Sequence, residues 1–233
     1  MNSSKQACPL AASFLLYKYV YIQYTDEGVQ MNRMDDDDEE YDDEEKKQTG
    51  PDPLLAKMLK TRTILLSGEI NKDLAEKTIR QLILLEDMGN DPVRIFIDSP
   101  GGDADAGYAV FDMIRFVKPP VWIIGMGLVA SAAALILLAS PKERRIGLPN
   151  SHYLIHQPLS GIRGVATDIE IHAKEIDKLR AKINRLISEE TGVNVEQVEK
   201  DTDRDYWMNA EEAAKYGLLS RVITRRDELL SSA

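Results

Sequence analysis

Between Asp98 and Ala139 the chain twice runs from an apolar strand, through glycine, into a helix. The first passage is Val93–Ile97, then Asp98-Ser99-Pro100-Gly101-Gly102, then an apolar-periodic run to Val117. The second is Val121–Gly127, then an Ala-rich run that begins near Ala130 and contains Ser131. Strands joined by helices of this length specify a sheet with parallel connections and crossover helices, an α/β architecture. Each helix start also offers unpaired backbone N–H groups and the positive end of a helix dipole. A serine at one start, beside a Gly-Gly turn at the other, is a candidate nucleophile with an oxyanion hole.

A serine needs a base. The chain has three histidines, His152, His156 and His172. His172 sits in a polar helical pattern, where a solvated face explains it. His152 and His156 lie in an alternating segment bounded by Pro158, which reads as a short strand. Either fits a satisfied core histidine as well as a catalytic one. Ser131, among alanines, reads equally as a packing residue.

Six ordered motifs carry the argument further. They are Asp98–Gly102, Met126–Ser131 (Met-Gly-x-x-Ala-Ser), Leu148–Ser151, Ile155–Pro158, Ala166–Ala173 and Asp201–Asp205. With these motifs, from about Thr63 to about Ile223, the chain resembles the proteolytic subunit of the Clp ATP-dependent protease, the ClpP family of serine peptidases. The resemblance implies Ser131 as nucleophile, His156 as general base and Asp205 as the carboxylate that orients the imidazole. Gly102 and Ala132 would supply the oxyanion-hole amides. A serine activated by an imidazole that a carboxylate holds in one tautomer is the general logic of such a triad. The chain order Ser, His, Asp is none of those of the chymotrypsin, subtilisin and α/β-hydrolase folds.

The resemblance implies a ClpP/crotonase-like spiral of ββα units with a protruding handle helix. It implies two stacked heptameric rings, homomeric or mixed, fed with unfolded polypeptides by a AAA+ unfoldase of the ClpX, ClpA or ClpC type. No P-loop occurs in the sequence, so ATP use is assigned to the partner, and no cofactor or metal is expected in this chain. Two departures from the family pattern stand out. Leu128-Val129-Ala130-Ser131-Ala132-Ala133 replaces the common Gln-Ala-Ala-Ser-Met-Gly, and an acidic tail followed by Pro51–Leu59 replaces the usual axial loop and helix. They motivate an alternative, a regulatory or structural ClpP paralogue that assembles with an active sister subunit. Acyl-CoA chemistry on a crotonase-like fold would not need the three triad residues together. A membrane-bound Ser-Lys peptidase does not suit the His and Asp partners.

Charge is concentrated at one place. Ten carboxylates between Asp35 and Glu45 account for the whole formal net charge of −10, and the remainder is formally neutral. No basic surface is indicated, so nucleic acid is not an expected partner. Cys8 is the only cysteine. It excludes an intrachain disulfide and fits a reducing, cytoplasmic setting. Ala11–Tyr24 is apolar but interrupted by Lys18 and too short to span a bilayer, and no clear cleavage site comes after it as a signal peptide requires. A start at Met31 or Met34 is a further reading. Residues 1–50 therefore read as an acidic extension disordered by self-repulsion, a propeptide or a mis-assigned start, ahead of a peptidase domain over 51–233.

Within that domain the pattern predicts a short helix at Leu54–Leu59, a strand at Thr63–Ser67 and a helix over Asn71–Met88 capped by Asn71. Strands are expected at Arg145–Leu148 and His152–His156, joined by Pro149-Asn150, and a glycine-punctuated loop or edge strand at Leu159–Val165. Thr167 and Glu170 form a capping-box pattern for a helix that reaches about Glu190 and stops at Gly192. Its stripe, Ile169, Ala173, Ile176, Leu179, Ile183 and Leu186, would face a core or another subunit. By resemblance this helix is the handle that interlocks the rings, with Gly161 and Gly164 in the adjoining strand. Asn209 should cap a short helix ending before Gly217, and Leu218–Ile223 reads as a last strand.

Overall fold

The computed structural model describes residues 53–229 in full, and the backbone of two further strands. The chain divides into two compact units, Met1–Gln48 and Thr49–Ala233. In the first, β1 (Val20–Thr25) pairs antiparallel with β2 (Gly28–Arg33). The acidic run Asp35–Glu45, Cys8 and the residues before Val20 lie outside the described residues.

The second unit runs α1 (Pro53–Lys60), β3 (Thr63–Ser67), α2 (Lys72–Asp87), β4 (Val93–Ser99), α3 (Ala104–Phe116), β5 (Val121–Ala130) and α4 (Ala132–Leu137). It continues with β6 (Arg145–Gly147), β7 (His152–Ile155), α5 (Ala166–Thr191), α6 (Val195–Asp201), β8 (Tyr206–Asn209), α7 (Ala210–Tyr216) and β9 (Arg221–Val222). The seven-stranded sheet has the order β3-β4-β5-β6-β9, with β7 beside β5 and β8 beside β7. Every pairing is parallel except β7 with β8. Fully buried Ile64, Leu66, Ile95, Ile97 and Ile123 form the centre of the sheet, and Val110, Leu82 and Leu85 pack on it from the helices. The opposite face carries a small buried cluster of Ile124, Ile146 and Ile223, and Leu65 on β3 is 47% exposed.

The local signals hold where they are strong. Asn71 caps α2 by accepting from Leu74 N, and Asp103 caps α3 by accepting from Ala106 N. Asn209 and Glu212 form a reciprocal capping box on α7, and Gly192 and Gly217 end their helices in the left-handed conformation. Three expectations need correction. Thr167 does not cap α5: the helix already includes it, and the N-cap is Val165, with no side-chain bond. Residues 159–165 form no strand, and the last strand is only Arg221–Val222. The strands expected on either side of Pro149-Asn150 form, at Arg145–Gly147 and His152–Ile155, and both pair with β5 at different stretches of it.

The two stretches are separated by an irregularity in β5. Ile97 pairs with Gly125 but Ser99 pairs with Val129, so β5 carries extra residues around Gly127. Gly127 has φ +54, and a Cβ there would meet Asp98 Oδ1 at 2.5 Å. Asp98 Oδ1 accepts from Leu128 N at 3.0 Å and holds the bulge. Before the bulge β5 pairs with β6; after it, with β7. Such a bulge bends the strand and re-aims the residues beyond it. Here those residues lead directly to Ser131.

The helix α5 is two-faced along its length rather than around it. Ile183, Asn184 and Ile187, near its C-terminal end, are buried. Ile169 and Ile171 near its start are 43% and 57% exposed. The first half projects from the subunit, so its apolar side chains have no core of their own.

Candidate active site

Ser131 is held at the end of β5 with φ +55 and ψ −121, a conformation that a non-glycine residue rarely adopts. Its N–H donates to Leu154 O at 2.9 Å, and its carbonyl accepts from Ala134 N and Leu135 N as α4 begins. The sharp strand-to-helix reversal lifts the hydroxyl out of an otherwise buried alanine-rich helix. Small residues are needed because the neighbouring elements are close. A Cβ on Gly107 would stand 3.2 Å from Ala132 Cβ.

The pairing that anchors Ser131 also delivers the histidine. Leu154 lies in β7, and His156 comes just past its end. Antiparallel β8 enters opposite, Ile155 facing Tyr206, so the residue before Tyr206 comes beside His156. His156 Nε2 is 2.9 Å from Ser131 Oγ, and His156 Nδ1 is 3.0 Å from Asp205 Oδ1. The imidazole side chain is 16% exposed and the Asp205 carboxylate 60%. The other two histidines are elsewhere. His152 is exposed, and His172 Nε2 contacts Ser160 Oγ at 2.8 Å.

Gly101 and Gly102 lie against the same turn. Gly101 has φ +93 and Gly102 φ +145, the left-handed range that favours glycine. A Cβ on Gly102 would collide with Ile70 O, since Gly102 bridges Ile70. That bridge uses Gly101 O and Asp103 N, which leaves Gly102 N–H without an acceptor among the described residues. Ala132 N–H, at the first position of α4, also has no acceptor among the described residues. Gly102, Ser131, Ala132 and His156 line one cleft of about 480 Å³.

Several residues that position this site carry no motif signal. Gln157 N donates to Thr202 O at 2.7 Å, and Gln157 Nε2 donates to Asp203 O at 2.6 Å. Thr202 is fully buried and donates to Asn184 Oδ1 at 2.9 Å. Arg180 Nη2 reaches Asp203 Oδ1 at 3.1 Å. The loop that ends at Asp205 is thus tied to α5 and to the segment leaving His156. Asn184, a polar residue between Ile183 and Ile187 on the buried face of α5, is the one that the sequence pattern could have flagged.

Among the described residues no group of three or more His, Cys, Asp or Glu side chains is placed to hold a metal. No helix among them is long and apolar enough to cross a membrane.

Comparison with known proteins agrees with the geometry. The Clp protease family pattern matches residues 46–226. The chain is 63% identical over 184 residues to the ATP-dependent Clp protease proteolytic subunit 2 of Treponema denticola, covering 78% of this chain and 92% of the relative. It is 51% identical over 174 residues to proteolytic subunit 3 of Rhizobium meliloti, covering 75% and 89%. A solved structure of a ClpP1 point mutant from Listeria monocytogenes superposes with TM-score 0.71 at 50% identity, covering 76% of this chain and 99% of the other. By sequence and by fold, the chain belongs to the Clp protease family of proteolytic subunits.

Proposed function

We propose that this chain is a catalytically active, serine-type endopeptidase subunit, with Ser131 as nucleophile, His156 as general base and acid, and Asp205 as the orienting carboxylate. The supporting observation is the unbroken line of contacts from Ser131 Oγ to His156 Nε2 and from His156 Nδ1 to Asp205 Oδ1, at 2.9 and 3.0 Å.

Those positions define the chemistry. Asp205 accepts from Nδ1–H, which leaves the Nε2 lone pair facing the serine hydroxyl. Nε2 takes the hydroxyl proton as Oγ attacks the scissile carbonyl carbon. The N–H groups of Gly102 and Ala132 donate to the oxyanion, and each such donor contributes roughly 10²–10³ in rate. The imidazolium then protonates the leaving amine, and water repeats the cycle on the acyl-enzyme.

The reading extends to the assembly. A peptidase with an open cleft is safe only where folded proteins cannot reach it. This agrees with a ring oligomer, here two stacked heptamers, that receives unfolded polypeptides from a AAA+ unfoldase of the ClpX, ClpA or ClpC type. ATP is consumed by that partner, and hydrolysis needs no cofactor in this chain. The single cysteine fits a cytoplasmic setting.

Intact mass before and after a fluorophosphonate tests the proposal. One adduct per chain, absent from Ser131→Ala, is expected. No adduct on the assembled protein, with or without a sister subunit, would overturn it and favour the regulatory paralogue.

A further inference from the structure

The cleft beside Ser131 has an apolar floor and an acidic rim. Ala132, Leu135, Ile155, Ile183 and Ile187 are buried and form the floor. Asp103 and Asp105 line the same cleft, are exposed, and stand on the side where α3 begins. No lysine or arginine lines it. The two carboxylates are not equivalent. Asp103 Oδ1 accepts from Ala106 N as the helix cap. Asp105, in the first turn of α3, has no hydrogen bond or ion pair to any described residue.

We infer that Asp105 is a specificity-determining residue of this peptidase, which selects at the cleft a substrate side chain with a long aliphatic stem and a cationic tip, and disfavours an acidic one. The inference rests on the reading of Ser131 as nucleophile and adds to it the class of side chain that the neighbouring cleft takes. The physical basis is the division of labour in such a side chain. Lysine buries its methylenes on an apolar wall while its ammonium stays at a wet edge. The Asp105 carboxylate at that edge, not engaged as a helix cap as Asp103 is, attracts the ammonium. It repels a glutamate, which would bring a second negative charge with no cation to offset it. An uncharged straight-chain residue such as norleucine uses the floor but gains nothing from the rim.

Norleucine and lysine therefore make the test, since they share a stem and differ at the tip. The full-length assembled protein is compared with Asp105→Asn and Asp105→Glu on fluorogenic peptides that differ only in norleucine, lysine, glutamine or glutamate before the scissile bond. The ratio of kcat/KM for lysine over norleucine is expected to fall about three- to fivefold in Asp105→Asn, the size of one exposed ion pair, and to be kept in Asp105→Glu. The glutamate over glutamine ratio should rise by a similar factor. In the wild type, but not in Asp105→Asn, the lysine ratio should shrink with added salt. Ratios that Asp105→Asn leaves unchanged would overturn the inference, because a merely structural role does not discriminate between tips.

Binding of fluorescent peptide amides ending in lysine or norleucine to Ser131→Ala supplies a readout that needs no turnover. The same ratio change there supports the inference even if fluorophosphonate labelling fails. Equal binding, or none for either peptide, overturns it. Failure of labelling alone counts against the nucleophile and not against the rim.

Discussion

A Cβ added to Gly101 would stand 2.6 Å from the Cβ of Ser131 and 3.1 Å from Ala132 N, so the two glycine turns are in direct contact. The backbone atoms cannot move aside without displacing the serine. Gly101→Ala also forces φ +93 on an L side chain. We expect it to lower stability by about 2–4 kcal/mol. Peptide hydrolysis should fall by about 100-fold or more, since a shift of an ångström at the nucleophile costs that much. Urea unfolding and peptide turnover check the two parts separately. Turnover within a few-fold of wild type would show that the contact relaxes harmlessly.

Ser131 is itself strained, and its replacements should rank accordingly. Both Ser131→Ala and Ser131→Gly remove the hydroxyl and should be inactive. The glycine variant escapes the cost of φ +55 with ψ −121. It should be more stable than the alanine variant by roughly 1–2 kcal/mol in chemical denaturation. Equal midpoints would mean that the turn carries no strain.

Arg145 is 1% exposed and donates from Nη2 to the backbone carbonyl of Glu190 at 2.8 Å, with Glu190 Oε2 at 3.7 Å. Burial lowers its pKa, and the carboxylates of Glu190 and Glu143 oppose that shift. Nε and Nη1 have no partner among the described residues, so Glu190 is the nearest compensation for a buried charge. Glu190→Gln should therefore destabilise by about 1–3 kcal/mol, less than a fully buried pair, since the Glu190 side chain is 20% exposed and its backbone carbonyl keeps the Nη2 hydrogen bond. Arg145→Met, which removes the charge instead of stranding it, should cost less. Thermal unfolding of both variants decides the order.

Tyr153 gives the fold an alkaline limit. It is fully buried against Gly125 and Gly147 and touches Ser151 Oγ at 2.9 Å. Burial pushes its hydroxyl up to about 12, partly countered by the Ser151 hydrogen bond. A pKa raised on folding means the contribution is complete below pH ~10, the unfolded value. It is lost as pH climbs through about 12. Tyr153→Phe cannot ionise, so its stability should decline less steeply over that window. Urea midpoints from pH 8 to 11.5 measure the difference, and parallel curves would contradict it.

Elements with a local cause were legible in the sequence. The caps at Asn71 and Asn209, the stops at Gly192 and Gly217, and strands β3 and β4 arise from side-chain hydrogen bonds, φ preference and apolar run length. The capping pattern at Thr167 misled because a favourable local pair does not prevent a helix from starting earlier, at Ala166. The last strand was over-read because its apolar residues serve other contacts. Leu218 and Leu219 are fully buried in the core, and only Arg221–Val222 pairs with β6.

The candidate site divides in the same way. Residue types and motif order were enough to single out Ser131, His156 and Asp205 by resemblance, and to name Gly102 and Ala132. Their distances depend on contacts far apart in the chain. The bulge held by Asp98 turns β5 from β6 to β7, the bond from Ser131 N to Leu154 O sets the serine beside β7, and the pairing of β7 with β8 brings Asp205 to His156. A local pattern determines where a helix starts or a turn needs glycine, because those energies arise within a few residues. Which strand end meets which is decided by pairing and burial across the whole core, and only the tertiary structure expresses it.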